Sequence, residues 1–78
     1  MGDFMELSQL RTFCLAATEK SFSKAAQKLH LTQPAVTLQI KNLEAEIGEA
    51  LFERLGRSII LTPAGETLLS FAQPLLNL

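Results

Sequence analysis

Apolar residues recur near the start of the chain at helical spacing. Leu10, Phe13, Cys14 and Ala17 stand at i, i+3, i+4 and i+7, which predicts an amphipathic helix over 7–20. Ser21-Phe22-Ser23 interrupts the pattern. Ser23 is placed to cap a short helix over 24–30 that turns Ala25, Ala26 and Leu29 inward. Thr32 caps a third helix over 33–47, with Pro34 in the first turn where its missing N–H costs nothing, and Gly48 is a natural stop. At roughly 100° per residue, Val36, Ile40, Leu43 and Ile47 fall within about 60° of one another, a buried stripe. Two short apolar runs, 51–55 and 58–61, flank Gly56-Arg57 and read as a small hairpin. Thr62-Pro63 then repeats the cap-and-proline signal and opens a last helix. In it Leu68, Leu69, Phe71, Ala72, Leu75 and Leu76 form an apolar face too broad for so small a domain to cover alone. A kink is expected at Pro74. The apolar pattern is still running at Leu78, so the expectation is a piece of a longer protein. The fold class is mainly α, with one hairpin.

Length and composition narrow this picture. The 78 residues suffice for one domain, which at this size buries about 60% of the surface its unfolded chain exposes. With 47% hydrophobic and 19% charged residues, a disordered tail is excluded. The lone Cys14 allows neither an internal disulfide nor a cysteine zinc site, which suits a reducing cytoplasm. No uncharged apolar run of about 18 residues and no signal-peptide pattern is present, so no membrane partner is expected. Met1-Gly2 hints at myristoylation, but that motif needs Ser or Thr where Glu6 stands. Residues 1–4 read as a leader or cloning remnant ahead of Met5.

The formal net charge of −1 argues at first against nucleic acid. Its distribution reverses the argument. Lys20, Lys24, Lys28 and Lys41 occupy a stretch free of acids, whereas Glu44, Glu46, Glu49 and Glu53 cluster after it. The side of the third helix opposite the stripe carries Pro34, Thr37, Leu38, Lys41 and Ala45, with Gln33 at its edge. Hydroxyl, amide, ammonium and methyl groups on one face suit base edges and phosphates, although a solvated face would look similar. Catalysis is not expected, because no nucleophile and base pair, metal cluster or phosphate-cradling glycine loop occurs. No cofactor or metal is expected either. His30 ends the short helix, where an imidazole helps satisfy terminal carbonyls, and Cys14 on the core stripe reads as a buried, inert thiol.

Beyond these patterns, the run FSKAAQKLHLTQPAVTLQIKNLEAEIGEALFERLGRSIILTPAGE, from Phe22 to Glu66, closely resembles the DNA-binding domain of LysR-type transcriptional regulators. Ala25-Ala26, Leu31-Thr32-Gln33-Pro34-Ala35-Val36, Gln39-Ile40, Leu43-Glu44, Gly48, Leu51-Phe52-Glu53-Arg54 and Leu61-Thr62-Pro63-Ala64-Gly65 stand in family order and spacing. The resemblance implies a winged helix-turn-helix domain over 5–62, a three-helix core plus a hairpin wing, with a linker and dimerisation helix starting at 63–78. It also implies an effector-binding domain outside this chain, through which alone a small-molecule effector would act. By the same resemblance the chain binds double-stranded DNA as a homodimer on an inverted repeat, in the bacterial cytoplasm, with the helix over 33–47 in the major groove.

Matched position by position, Gln33 and Pro34 look toward base edges, and Thr37 takes a place that contacts the backbone or a base. Ser23 and Thr32 sit at helix N-termini that favour phosphate. Lys41 lies on the same face, and Arg54 and Arg57 match wing positions that reach the minor groove. Leu38 departs from the pattern, since many members carry Arg or Lys there; an apolar contact with a thymine methyl is the expected substitute. Pairing between copies is assigned to Leu68, Leu69, Ala72, Leu75 and Leu76.

Plainer readings stand beside these. Arg54 and Arg57 could form surface salt bridges with Glu53 or Glu49, and Lys24 and Lys28 could be solubilising. The domain could instead be a protein-interaction module docking through its last helix, a reading favoured by near-neutral charge and Leu38. A molybdate-regulator arrangement would alter the rest of the protein and leave the DNA chemistry unchanged.

Overall fold

A computed structural model describes residues 6–76. Element order is α1 (Leu7–Glu19), α2 (Phe22–Leu29), α3 (Gln33–Ile47), β1 (Phe52–Leu55), β2 (Ser58–Leu61) and α4 (Pro63–Leu76). Every predicted element among these residues forms. The proposed leader over 1–4 lies outside the described residues.

The first three helices end where local chemistry stops them. Lys20 and His30 adopt left-handed φ values of 56° and 59°, and Gly48 takes φ 87°. In each case the backbone N–H of the cap residue reaches back to a helix carbonyl, closing groups the helix leaves open. His30 therefore serves its helix through its backbone N–H, bonded to Ala26 and Gln27, rather than through the imidazole expected from sequence.

The start of α2 corrects the assignment of Ser23 as a cap. Ser21 is the N-cap, extended at φ −163°, and its hydroxyl accepts from the Lys24 N–H at 3.1 Å. Starting two residues earlier puts Phe22, Ala25, Ala26 and Leu29 at i, i+3, i+4 and i+7, so Phe22 joins the buried face. There it meets Phe52 edge-on, with ring centroids 5.3 Å apart. Ser23 is left exposed in the first turn of α2.

The core is built by α1 against all three other helices. Phe13, Cys14, Ala26, Val36, Ile40, Leu43 and Leu51 are its buried centre. Fully burying an aliphatic or aromatic side chain of this kind contributes about 1.5–3 kcal/mol, so these few residues dominate folding. The hairpin is a two-stranded antiparallel pair with Phe52 opposite Leu61 and Arg54 opposite Ile59. Phe52 fixes it to the core by packing on both Phe13 and Phe22. Gly56, at φ 65°, supplies the left-handed turn residue at its tip.

The last helix packs on α1 and β2. It continues through Pro74 to Leu76, so the proline does not terminate it. Its start is held by Thr62, whose hydroxyl donates to the Ala50 carbonyl at 2.7 Å and accepts from the Gly65 N–H at 3.0 Å.

Candidate nucleic-acid interface

The rotation of α3 about its axis decides what it can offer a partner. Val36, Ile40 and Leu43 are buried and Ile47 packs against the same cluster, so the helix cannot turn without losing that stripe. A second anchor acts from the N-terminal side: buried Thr12 of α1 meets the Gln39 side chain of α3 and also reaches the Ser8 carbonyl at 3.0 Å. A hydroxyl has one proton. If it goes to Ser8, the Gln39 amide must present its NH2 to the Thr12 oxygen, and both groups are satisfied.

With α3 held so, Thr32, Gln33, Pro34, Leu38 and Lys41 are exposed, and Thr37 is half-buried. Thr32 caps the helix as predicted, accepting from the Ala35 N–H at 3.2 Å. The Gln33 amide donates to the Thr37 hydroxyl at 3.0 Å. Leu38 leaves 60% of its surface in water, an apolar side chain standing in the middle of a polar face.

Strand alternation aims the wing. Side chains two apart share a face, so Arg54 points to the same side as Phe52, toward the core helices, and lies opposite Ile59 in the register. The result is a cleft of about 180 Å³ between α3 and the wing, lined by Thr37, Lys41, Glu44 and Arg54 among others. A smaller neighbouring cleft of about 90 Å³ is lined by Lys20, Ser21, Ser23, Gln33, Arg54 and Arg57. Arg54 borders both.

The predicted residues Ser23, Gln33, Thr37, Lys41, Arg54 and Arg57 are thus brought to one side of the domain. Thr32 at the N-cap and Pro34 and Leu38 on α3 are exposed but line neither cleft. Among the described residues the one ion pair is Lys28 with Glu19, at 2.6 Å. Arg54 and Arg57 therefore do not form the salt bridges that the plainer reading assigned them, and Lys28 is engaged away from the clefts. Lys20 joins the site without having been singled out for it. Its signal in the sequence was charge alone; its left-handed backbone, which swings the chain from α1 into α2, is what carries it there.

The residues assigned to pairing divide into two sets. Ala72 is 1% exposed and sits in the core, while Leu68, Leu69 and Leu76 pack partly against it. Leu75 at 73% and Phe71 at 67% are the exposed members of the face. Cys14 is fully buried, and burial pushes its thiol pKa up from the ordinary value.

Three packed helices, the third with a polar flank exposed beside a two-stranded wing, define a winged helix-turn-helix domain. Residues 7–66 match the family described as bacterial regulatory helix-turn-helix protein, lysR family. The chain belongs to that family. The relative named "Uncharacterized HTH-type transcriptional regulator YwqM", from Bacillus subtilis strain 168, is 53% identical over 74 residues, which make up 95% of this chain and 25% of that protein. The chain spans about a quarter of the length of the curated relatives it matches.

Among solved structures, the BenM DBD in complex with catB site 1 DNA superposes with a TM-score of 0.89 at 45% identity, covering 94% of this chain and 81% of that one. The CbnR DBD in complex with DNA gives 0.88 at 41% identity, covering 94% and 84%. No helix among the described residues is long and apolar enough to cross a membrane.

Proposed function

We propose that this chain binds double-stranded DNA sequence-specifically, as a symmetric dimer on an inverted repeat, within a longer bacterial transcription regulator. The observation that carries the reading is the gathering of Gln33, Thr37, Lys41, Arg54 and Arg57 on one side, with neither arginine tied to an acid among the described residues. The BenM and CbnR domains that share the fold were solved with DNA.

In this reading α3 enters the major groove. Gln33 and Thr37 meet base edges, Pro34 and Leu38 supply apolar contact to thymine methyls, and Lys41 meets phosphate. Ser23 in the first turn of α2 and Thr32 at the N-cap of α3 stand where free N–H groups face the DNA backbone. Arg54 and Arg57 extend to the minor groove, whose narrow A·T segments attract arginine. Residues 5–62 form the DNA-binding unit, and 63–78 begin a helix that pairs with its two-fold mate. The role is binding without catalysis, in the cytoplasm, and any small-molecule effector acts through parts of the whole protein outside this chain.

Selection of duplexes from a random-sequence pool by the purified chain tests this. Enrichment of paired half-sites about one helical turn apart, or a multiple of it, is expected. Affinity should also fall steeply with salt. A pool that stays random after repeated rounds rejects the reading, and salt-indifferent binding to another protein would favour a docking module instead.

A further inference from the structure

Leu51 joins α3 to the wing, and its backbone is held on both sides of its Cα. Its N–H donates to the Glu44 carboxylate of α3 at 2.8 Å, and its carbonyl accepts from the Thr62 N–H, at the start of α4, at 3.0 Å. The leucine side chain is fully buried. Glu44 lies one helical turn from Lys41, and both line the cleft that Thr37 and Arg54 share. A carboxylate accepting a backbone N–H is a charge-assisted bond, stronger than a neutral one.

We propose that Glu44 is a positioning residue, which through the Leu51 N–H fixes the spacing between the exposed face of α3 and Arg54 of the wing. The proposal rests on the DNA-binding reading for its consequence, though not for its geometry. Phe52 follows Leu51 directly, so a shift of the Leu51 peptide is passed to β1 and hence to Arg54. Without the carboxylate, Leu51 keeps its link to Thr62 and Phe52 its packing on Phe13 and Phe22, so the wing then follows α1, α2 and α4 and loses its hydrogen-bonded tie to α3. Major-groove contacts through Gln33 and Thr37 survive such a change. Discrimination at the flank touched by Arg54 does not.

Two measurements on Glu44→Ala and Glu44→Gln separate the possibilities. In the free chain, amide exchange and backbone relaxation by NMR should show Leu51 losing protection and residues 52–61 gaining mobility in E44A. E44Q, whose amide oxygen can still accept, should stay close to wild type. A wing as ordered in E44A as in wild type overturns the proposal whether or not any DNA is bound. With the tightest duplex recovered from the random pool, replacing its A·T flank by G·C should weaken wild type by about tenfold and E44A by no more than about threefold. Arg54→Ala should show the same reduced flank dependence, and the E44A/R54A double variant should be no worse than R54A alone. Full additivity of the two substitutions overturns the proposal. If wild type selects no duplex, the DNA reading fails, and the relaxation data alone decide the anchoring role of Glu44.

Discussion

The Gln33 side-chain amide donates to the Thr37 hydroxyl at 3.0 Å across one turn of α3, so the exposed amide and the half-buried hydroxyl orient each other before any partner arrives. Each loses part of its placement when the other is removed. Gln33→Ala and Thr37→Ala are each expected to lower affinity for the selected duplex by about 1–3 kcal/mol, the range for one good base contact. Because the shared hydrogen bond is lost in either variant, the double variant should lose less than the sum. Fluorescence anisotropy titrations on the four proteins measure this, and unchanged affinity in both single variants would remove α3 from the binding face.

Arg57 stands in the wing turn and shares the smaller cleft with Lys20 and Ser23, with no acid paired to it among the described residues. A free cation that reaches a groove releases a counterion as well as sensing the groove's width. Arg57→Ala should therefore reduce the slope of log affinity against log salt by about 1, and should weaken duplexes with A·T flanks more than those with G·C flanks. Lys28→Ala is the internal control, because Lys28 already pairs with Glu19. A slope lowered equally by K28A would mean that the charge effect is general and not local to the wing.

How far the sequence predicted these arrangements depends on the range over which each is decided. Apolar spacing places α1 and α3, and cap and turn signals place α2, α4 and the hairpin, since each of these is a local pattern. The cap of α2 was misplaced by two residues because Ser21 and Ser23 satisfy the same local rule. What separates them is whether Phe22 belongs to the helix, and that is settled by its packing on Phe52, which arrives from the far end of the domain. The exposed face of α3 was legible as the complement of its buried stripe. The direction of Arg54 was not, since alternation assigns it to a face but only the packing of Phe52 says which face is inside. Likewise the broad apolar face of α4 gave no sign that Ala72 turns into the core while Leu75 stays out, a division made by the docking of α4 on α1.

Gly65 lies in the first turn of α4 where a side chain would collide with Leu51. A Cβ there would fall 2.2 Å from the Leu51 carbonyl oxygen and 2.8 Å from a Leu61 methyl. The leucine methyl can yield, but the carbonyl cannot, since it is fixed by the Thr62 N–H. Alanine gains up to about 1 kcal/mol of helix propensity over glycine. Overpacking against fixed backbone costs typically about 1–3 kcal/mol, so the clash should win. Gly65→Ala is expected to lower Tm, by about 4–8 °C for each kcal/mol lost in a domain of this size. Thermal unfolding followed by circular dichroism checks it, and a midpoint at or above wild type would show that α4 can slide away from Leu51.

Cys14 is sealed in the core, and burial disfavours its thiolate. An aromatic disulfide reagent should therefore label the native chain far more slowly than the urea-unfolded chain. Linkage fixes the sign of the accompanying pH effect. The unfolded chain releases the Cys14 proton first as pH rises through the ordinary thiol range, so it binds fewer protons than the native chain there, and stability declines. Below that range both states keep the proton and the contribution is flat. Urea denaturation at increasing alkaline pH should show a shallower decline for Cys14→Ala than for wild type, after allowance for that variant's lower starting stability. Parallel declines would assign the alkaline loss to other groups.

Phe71 and Leu75 stand out of the core on α4, 67% and 73% exposed. Phe71 borders a groove of about 460 Å³ formed with Ile47, Leu51, Pro63, Ala64 and Leu68. Burying such a side chain fully contributes about 1.5–3 kcal/mol, so a two-fold pairing that covers both residues on each copy gains several kcal/mol before association costs. The expected outcome is concentration-dependent dimerisation of the chain in sedimentation equilibrium. Leu75→Glu should shift it to monomer without lowering Tm at low protein concentration, because the core does not use that side chain. Ala72→Glu should instead unfold the chain, since its site is closed inside the molecule. A dimer that persists in L75E would move the pairing surface off this part of α4, and would require some other face to bring two copies of α3 onto one duplex.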